Sequence, residues 1–441
     1  MMKDNTIITK REFILSMVIF SSLYFIFGLV SWVNAILIPY FKFTCEIGEV
    51  ESYLVTFAFY IAYLVFSIPS SLLLNKYGYK KGLTIGLWIM SVGSFVFVPA
   101  ANLRSYPIFL LGLFLLGIGL ALLQSAANPF VTILGKKESA ATRISTVGFF
   151  NKLAGVLSNL LFAAIIIDSS SKKAIIDIKN GVYVGLAKEQ MLDNLIKDVI
   201  VPYTILAILL FVFGLIIKYS TIPDVDASKQ NSSIETDSIT KSIFKYPNLI
   251  LGVFAMFFHV GSQMITLATV INYGVTLGLT LEGVAKNFPS VIMSFTMIGY
   301  LLGVFLIPKY LSQRSALIIS VMLNLILSFL IALVNYQVNI FGIHTSISIW
   351  FLILMGLPNA LIYAGIWPLA INGLGKLTNL GSSMLVMGLC GSAIIPLLFS
   401  VVSVQTNMQT AYWILVPCFA YLLFYALYGY KIKTWKIKYK K

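Results

Sequence analysis

Long apolar runs alternate with short polar segments along the whole chain. Twelve of these runs are long enough, as helices, to cross the roughly 30 Å hydrocarbon core of a bilayer. No stretch shows the repeated alternation, over about ten residues, that is typical of a membrane β-barrel. The pattern therefore predicts an all-α membrane protein with twelve transmembrane helices. The predicted helices lie at residues 13–40, 51–75, 81–101, 106–134, 142–167, 197–219, 247–275, 285–308, 314–335, 345–374, 378–403 and 408–430.

The composition supports a membrane protein and argues against other classes. Of the 441 residues, 59% are hydrophobic and 11% are charged, whereas a soluble domain is about 25% charged. The net charge of +15 comes mostly from short loops and from the terminal "YKIKTWKIKYKK". We interpret it as membrane topology and lipid-headgroup contact rather than nucleic-acid binding. Cys45, Cys390 and Cys418 lack the spacing of metal ligands, so we expect no metal and no cofactor.

Lysine and arginine are concentrated in every second loop. If both termini lie in the cytoplasm, the inner segments hold most of these residues, as the positive-inside rule requires. A polar segment rich in Ser, Thr and Asp separates two sets of six helices. The predicted division is an N-terminal half at 1–219, a cytoplasmic linker at 220–246, a C-terminal half at 247–430 and a basic cytoplasmic tail at 431–441.

The two halves carry a weak internal repeat. The stretch "NPFVTILGKK" lies at the end of the fourth predicted helix, and "WPLAINGLGK" lies at the end of the tenth. In each, a proline within the helix is followed six or seven residues later by Gly and then Lys. Two parallel six-helix halves with a central linker predict the major facilitator architecture. The loop "NKYGYKKG", residues 75–82, resembles the basic, glycine-containing loop of that superfamily. The Gly117–Gly119 pair lies in mid-helix, and we interpret it as a site of close helix packing.

Polar side chains recur at helical spacing within the apolar runs. In the fourth helix Gln124 and Asn128 lie four residues apart, and in the tenth Asn359, Tyr363 and Trp367 do the same. Amides both donate and accept hydrogen bonds, and aromatic rings cover C–H faces, so the set suits a neutral polyol. Hydrogen bonds between helices use the same residue types and are the alternative. The predicted substrate-binding residues are Asn34, Gln124, Asn128, Asn151, Lys152, Gln263, Asn359, Tyr363 and Trp367.

Every one of the 16 acidic residues falls in a loop, a terminus or a helix end. Ion-coupled transporters usually place an Asp or Glu at membrane depth, so the sequence predicts that no carboxylate carries a proton here. Lys152 is the one clear charge within a predicted span, and His259 is the other group there that could titrate. Both are candidates for ion coupling. A lone buried histidine is more often a neutral hydrogen-bond partner. An anionic substrate is less favoured, because no arginine cluster accompanies Lys152.

Several segments resemble one known family. "ALLQSAANPFVTILG", "ESAATRISTVGFFNKLAG", "WVNAILIPYFK" and "NALIYAGIWPLAINGLGK" are similar to the fucose permease-like branch of the major facilitator superfamily, in particular to its bacterial glucose/galactose transporters. The resemblance spans nearly the whole chain. It implies import of a hexose by alternating access across the bacterial inner membrane, usually coupled to protons or sodium.

The resemblance also carries over to single positions. Gln124 stands where the proton-coupled fucose permease has a glutamate, and Ala35 stands where it has an aspartate. Asn151 and Tyr363 match pocket positions of the family. The glucose/galactose branch tends to carry acids near the positions of Gln263 and Ala268, so this chain departs from the branch in its seventh helix. The departures preserve the pocket but remove the acids used for coupling.

These observations lead to one main hypothesis and two alternatives. The main hypothesis is a monomeric hexose transporter in the bilayer that works as an ion-independent uniporter. The first alternative is a sugar symporter coupled to protons or sodium through Lys152, His259 or a site made of amides and carbonyls. The second is a sugar sensor or scaffold that no longer transports. An enzyme is not expected, because no nucleophile–base pair or metal cluster lies at membrane depth.

Overall fold

The computed structural model of the chain describes residues 10–32, 34–134, 139–166, 169–219, 243–280, 283–307 and 309–435. For a few residues in these ranges, Asn34 among them, only the backbone is described. The predicted linker falls almost entirely outside the described residues, as does most of the predicted tail. Their boundaries therefore remain predictions.

The N-terminal half consists of helices alone in its described part. Its helices are α1 Lys10–Ser31, α2 Asn34–Thr44, α3 Glu49–Ser52, α4 Leu54–Tyr77, α5 Tyr79–Phe95, α6 Phe97–Asn102, α7 Tyr106–Ile133, α8 Ala140–Ile166, α9 Ser169–Lys179, α10 Gly185–Ile196 and α11 Ile200–Tyr219. A single 3₁₀ turn at Lys197–Val199 joins α10 to α11.

The C-terminal half adds one small sheet to its helices. Its helices are α12 Pro247–Thr276, α13 Phe288–Leu306, α14 Gln313–Leu333, α15 Ile347–Leu354, α16 Gly356–Ile371, α17 Thr378–Met387, α18 Gly391–Gln405, α19 Met408–Ala411 and α20 Leu415–Leu427. Strands β1 Gln337–Ile340 and β2 Ile343–Ser346 pair antiparallel. Single 3₁₀ turns occur at Ala285–Asn287, Gly375–Leu377, Gly388–Cys390, Tyr412–Ile414 and Gly429–Lys431.

The prediction of an all-α membrane protein with twelve transmembrane helices is confirmed. Eleven helical segments of the described chain are long and apolar enough to cross a membrane. The remaining predicted segment corresponds to α8, which has 27 residues and is therefore about 40 Å long. Apolar side chains cover the outer surface of these helices, as lipid contact requires. Leu111 is 53% exposed and Phe305 is 70% exposed.

The structure also corrects some of the predicted bounds. The first predicted helix, 13–40, is interrupted, since α1 ends at Ser31 and α2 begins at Asn34. Trp32 lies at this interruption. The tenth predicted helix, 345–374, is wrong at its start, because residues 345 and 346 belong to β2. The segment between the fifth and sixth predicted helices contains two further helices, α9 and α10. Both extra elements are short and polar, so a search for apolar runs does not detect them.

Glycine allows the closest helix contacts in the N-terminal half. A Cβ atom added to Gly117 of α7 would lie 2.0 Å from the backbone oxygen of Phe59 in α4. A Cβ atom added to Gly119 would lie 2.4 Å from the oxygen of Gly86 in α5. The interpretation of this glycine pair as a packing site is confirmed. The loop between α4 and α5 also needs glycine, because Gly78 has a φ of 82°, which side chains rarely tolerate.

The described carboxylates cluster at one end of the bundle, which we call the α9–α10 end. Arg104 is the centre of the cluster, and its guanidinium group forms ion pairs with Glu46, Glu189 and Asp193. Lys188 also pairs with Glu46. The hydrogen bond from Lys188 is the main cause of a lowered Glu46 pKa. All seven Asp and Glu residues whose side chains are described lie in residues 46–51 and 177–198.

Replacing Gly117 by leucine should destabilise the fold. The added side chain would have to displace the backbone of α4, and overpacking of this kind lowers the free energy of unfolding by about 1–3 kcal/mol. The measurement is the melting temperature of the purified protein in detergent. Leu111→Phe, which enlarges a lipid-facing side chain on the same helix, is the control and should change little. Equal melting temperatures for the Gly117→Leu variant and the parent would contradict the packing role.

Candidate substrate cavity

A cavity lies between the two halves, and about 700 Å³ of space is free of protein atoms there, part of it open to solvent. Helices α1, α4, α7 and α8 line it from one side, and α12, α13, α16, the Gly388–Cys390 turn and α18 line it from the other. The lining residues are Tyr24, Phe27, Ser31, Trp32, Tyr60, Tyr63, Gln124, Ile144, Gly148, Asn151, Lys152, Val260, Gln263, Tyr300, Tyr363, Leu389 and Ser392.

Trp32, Asn151 and Lys152 form a connected group on the wall of the N-terminal half. The indole Nε1 of Trp32 donates a hydrogen bond of 2.9 Å to Oδ1 of Asn151. The Nδ2 of Asn151 donates to the backbone oxygen of Tyr24 at 3.0 Å. The Nζ atom of Lys152 lies 3.3 Å from the centroid of the Trp32 ring, which is a cation–π contact. The interruption between α1 and α2 therefore places an indole where it meets two neighbouring residues of α8.

Glycines make this arrangement of rings possible. A Cβ atom added to Gly155 would lie 2.7 Å from Cδ1 of Trp32, and one added to Gly148 would lie 2.7 Å from the Tyr300 ring. A Cβ atom added to Gly28 of α1 would lie 2.1 Å from the backbone oxygen of Asn151 in α8. Helices α1 and α8 therefore touch backbone to backbone beside the cavity.

Asn128 joins the two halves through its side-chain amide. The hydroxyl of Tyr24 in α1 donates to Oδ1 of Asn128, and Nδ2 of Asn128 donates to the hydroxyl of Tyr363 in α16 at 3.1 Å. Asn128 is only 3% exposed, and it lies behind the residues that line the cavity rather than among them. Asn128 therefore positions the phenol rings of Tyr24 and Tyr363, which both line the cavity.

Gln124 and Gln263 supply amide groups from opposite walls. Gln124 of α7 lines the cavity and donates from Nε2 to the hydroxyl of Tyr63 at 3.0 Å. Gln263 of α12 lines it from the C-terminal half. Tyr63 is stacked on Tyr60, with ring centroids 5.8 Å apart. Amides and aromatic faces thus lie side by side around the cavity, in the combination that binds hydroxyl groups and C–H faces.

Besides Asn128, three predicted residues lie away from the cavity. Asn359 is 1% exposed and accepts a hydrogen bond of 3.1 Å from Asn324 of α14, so it joins two helices of one half. Trp367 is fully buried and stacks on Tyr363, with ring centroids 5.6 Å apart. It supports a cavity residue from behind. His259 is fully buried, and its ring lies 6.5 Å from that of Tyr363. The side chain of Asn34 is outside the described part of the chain.

Sequence reasoning missed most of the tyrosines of the cavity. Tyr24, Tyr60, Tyr63 and Tyr300 line it together with the predicted Tyr363. A signal was present, because Tyr60 and Tyr63 lie three residues apart in mid-helix, far from the membrane interface where tyrosine is common. The chain has 23 tyrosines, however, and spacing alone does not show which of them face a cavity.

The cavity has an unusual electrostatic character. Among the residues that the structure describes, Lys152 is the only charged residue that lines it, and no Asp or Glu does so. The imidazole nitrogens of His259 have no hydrogen-bond partner among the described residues. The described carboxylates all lie at the α9–α10 end.

Comparison with known proteins identifies similar chains over almost the full length. A glucose/galactose transporter of Brucella abortus is 29% identical over 412 residues, which cover 93% of this chain and 92% of that protein. The L-fucose-proton symporter of Escherichia coli is 27% identical over 434 residues, covering 96% and 95%. The crystal structure of the Escherichia coli fucose:proton symporter, FucP, matches with a TM-score of 0.74 and 26% identity. That match covers 94% of this chain and 98% of FucP.

The family itself is identified by a model that covers most of the chain. The model of the Major Facilitator Superfamily matches residues 20–389. This range includes every residue that lines the cavity except Ser392. The match agrees with the two sets of helices around a shared cavity. The chain therefore belongs to the Major Facilitator Superfamily.

Proposed function

We propose that the chain transports a hexose-sized sugar across the membrane by alternating access. The observation that carries this proposal is the cavity between the halves, with amides of Gln124, Asn151 and Gln263 and the rings of several tyrosines on its walls. Sugar hydroxyls would exchange hydrogen bonds with the amides, and the rings would cover the apolar face of the sugar. The names of the Brucella and Escherichia relatives support the same substrate class.

Contacts between the halves supply the two gates that alternating access requires. At the α9–α10 end, Nδ2 of Asn272 in α12 donates to Oε1 of Glu49 in α3 at 3.1 Å. Helix α17, which begins at the opposite end, packs on α4 and α7. Opening one set of contacts while the other holds would expose the cavity to one side at a time. The bond between Asn128 and Tyr363 also crosses from half to half, so it must break or shift during this motion.

We propose that transport is uniport, because no described carboxylate lines the cavity. Coupling to protons is the second candidate. It is favoured by the Escherichia coli relative, which is named a proton symporter, and by the presence of Lys152 in the cavity wall. We further propose that the protein is a monomer in a bacterial cytoplasmic membrane with both termini in the cytoplasm. The positive-inside bias of the loops supports this orientation, and it places the α9–α10 end outside.

The primary test is counterflow of radiolabelled glucose, galactose and fucose in proteoliposomes. Trans-stimulated entry of at least one hexose-sized sugar is expected. Binding of a sugar without any flux would instead favour the sensor, and the absence of both binding and flux would contradict the proposal.

Asn128→Ala should lower counterflow about tenfold or more. The variant removes two hydrogen bonds, each of which contributes about 1 kcal/mol or more, and a loss of 1.4 kcal/mol corresponds to a factor of ten. Tyr24 and Tyr363 would then lose their shared partner, and the wall that they form would no longer be fixed. Asn194→Ala, at an exposed position of α10, is the matched control. Unchanged counterflow in a well-folded Asn128→Ala protein would refute the positioning role.

Imposed gradients should not drive accumulation. In proteoliposomes with a proton or a sodium gradient, the internal sugar concentration is expected to stop rising when it equals the external concentration. The physical reason is that the described cavity offers no carboxylate to bind the coupling ion. The Escherichia coli L-fucose-proton symporter, reconstituted in the same way, is the positive control for the proton gradient. Accumulation against the sugar gradient would establish coupling, and Lys152 and His259 would then be the residues to replace.

A further inference from the structure

Lys152 is a buried basic residue with no carboxylate partner among the residues that the structure describes. The residue is 3% exposed, yet it lines the cavity between the halves. Its side chain packs against the face of the Trp32 ring. No ion pair involving Lys152 occurs among the described residues, and the described carboxylates lie at the α9–α10 end of the bundle. Within the described part of the chain, the cavity that would hold the sugar therefore presents one basic group and no acidic one.

A buried lysine without a carboxylate partner is energetically unfavourable when no ligand is bound. A lysine near the middle of a membrane helix is unfavourable on insertion scales. A cation–π contact offsets only part of this penalty. A neutral cavity wall would need no lysine, since Asn151 and Gln124 already provide donors for hydroxyl groups. A lysine without a carboxylate partner among the described residues points to a ligand that carries a negative charge.

We propose that the transported sugar is a sugar acid, a hexose-sized ring with one carboxylate, such as a hexuronate. The proposal rests on the proposed function and narrows its substrate class. The ring would lie between the amides of Gln124 and Gln263, and its carboxylate would accept hydrogen bonds from the Lys152 ammonium group. The sequence alone disfavours an anionic substrate because no arginine cluster accompanies Lys152, but a single ammonium group is enough to match the single charge of one carboxylate. A sugar phosphate carries a second charge, for which the described cavity has no partner.

Competition in the unmodified protein tests the proposal first. Counterflow of labelled galacturonate and glucuronate is measured beside that of glucose and galactose, and each unlabelled compound is used as a competitor. The methyl ester of galacturonate keeps the ring and removes the charge. We expect the uronates to exchange, the ester to compete at least about tenfold more weakly, and glucose 6-phosphate not to compete. Equal competition by the ester and the acid would overturn the proposal, and so would preferential competition by the phosphate.

Variants of Lys152 supply the second arm. Lys152→Met keeps an unbranched side chain and removes the charge, so uronate counterflow should fall about tenfold or more. Competition by neutral hexose should persist in this variant. Lys152→Arg keeps the charge and should retain part of the uronate flux. Lys173→Met, at an exposed position of α9, controls for loss of a lysine elsewhere. Uronate flux that is unchanged in Lys152→Met would contradict the role of this residue.

The outcomes separate this inference from the proposed function. Exchange of neutral hexoses without any exchange of uronates would overturn the sugar-acid proposal and leave sugar transport intact. No exchange of either class would count against both. Because the competition arm uses the unmodified protein, the inference remains testable even if the Lys152 variants fail to fold. Their folding is checked by elution as a single peak in size-exclusion chromatography.

Discussion

The hydrocarbon interior of a bilayer offers no hydrogen-bond partners, and this constraint determines where the polar side chains of the protein lie. Each such group at membrane depth must find a partner in the protein or face the cavity. The amide of Asn128 satisfies both of its polar atoms with the hydroxyls of Tyr24 and Tyr363, and Gln124 donates to Tyr63. A sugar that enters the cavity would exchange partners with groups that are already oriented, so little ordering is needed for binding.

The helical segments and much of the cavity could be predicted from the sequence, because both follow from simple periodicity. An apolar run of membrane length has few alternatives to a spanning helix, and polar residues within it must turn inward. This reasoning selected Gln124, Asn151, Lys152, Gln263 and Tyr363, and the structure places all five on the cavity wall.

The spacing of polar residues along a helix could not show which residues of other helices they contact. Asn359, Tyr363 and Trp367 share one spacing, yet Asn359 meets Asn324 of a neighbouring helix and Trp367 lies behind Tyr363. The interruption between α1 and α2 at Trp32 could not be predicted from the sequence for a similar reason. Its surroundings are as apolar as the helices on either side, and its role depends on Asn151 and Lys152, which lie more than a hundred positions away.

The backbone contact between Gly28 and Asn151 has a mechanical consequence. With no side chain between α1 and α8 at this point, the two helices would move together, and Trp32, Asn151 and Lys152 would move with them. Gln263, Tyr300 and Tyr363 belong to the opposing body. During a transport cycle the ligand would therefore part from one wall while it keeps its contacts with the other. Lys152 and Trp32 would stay in contact throughout the cycle, so the conformational change would not have to break their cation–π contact.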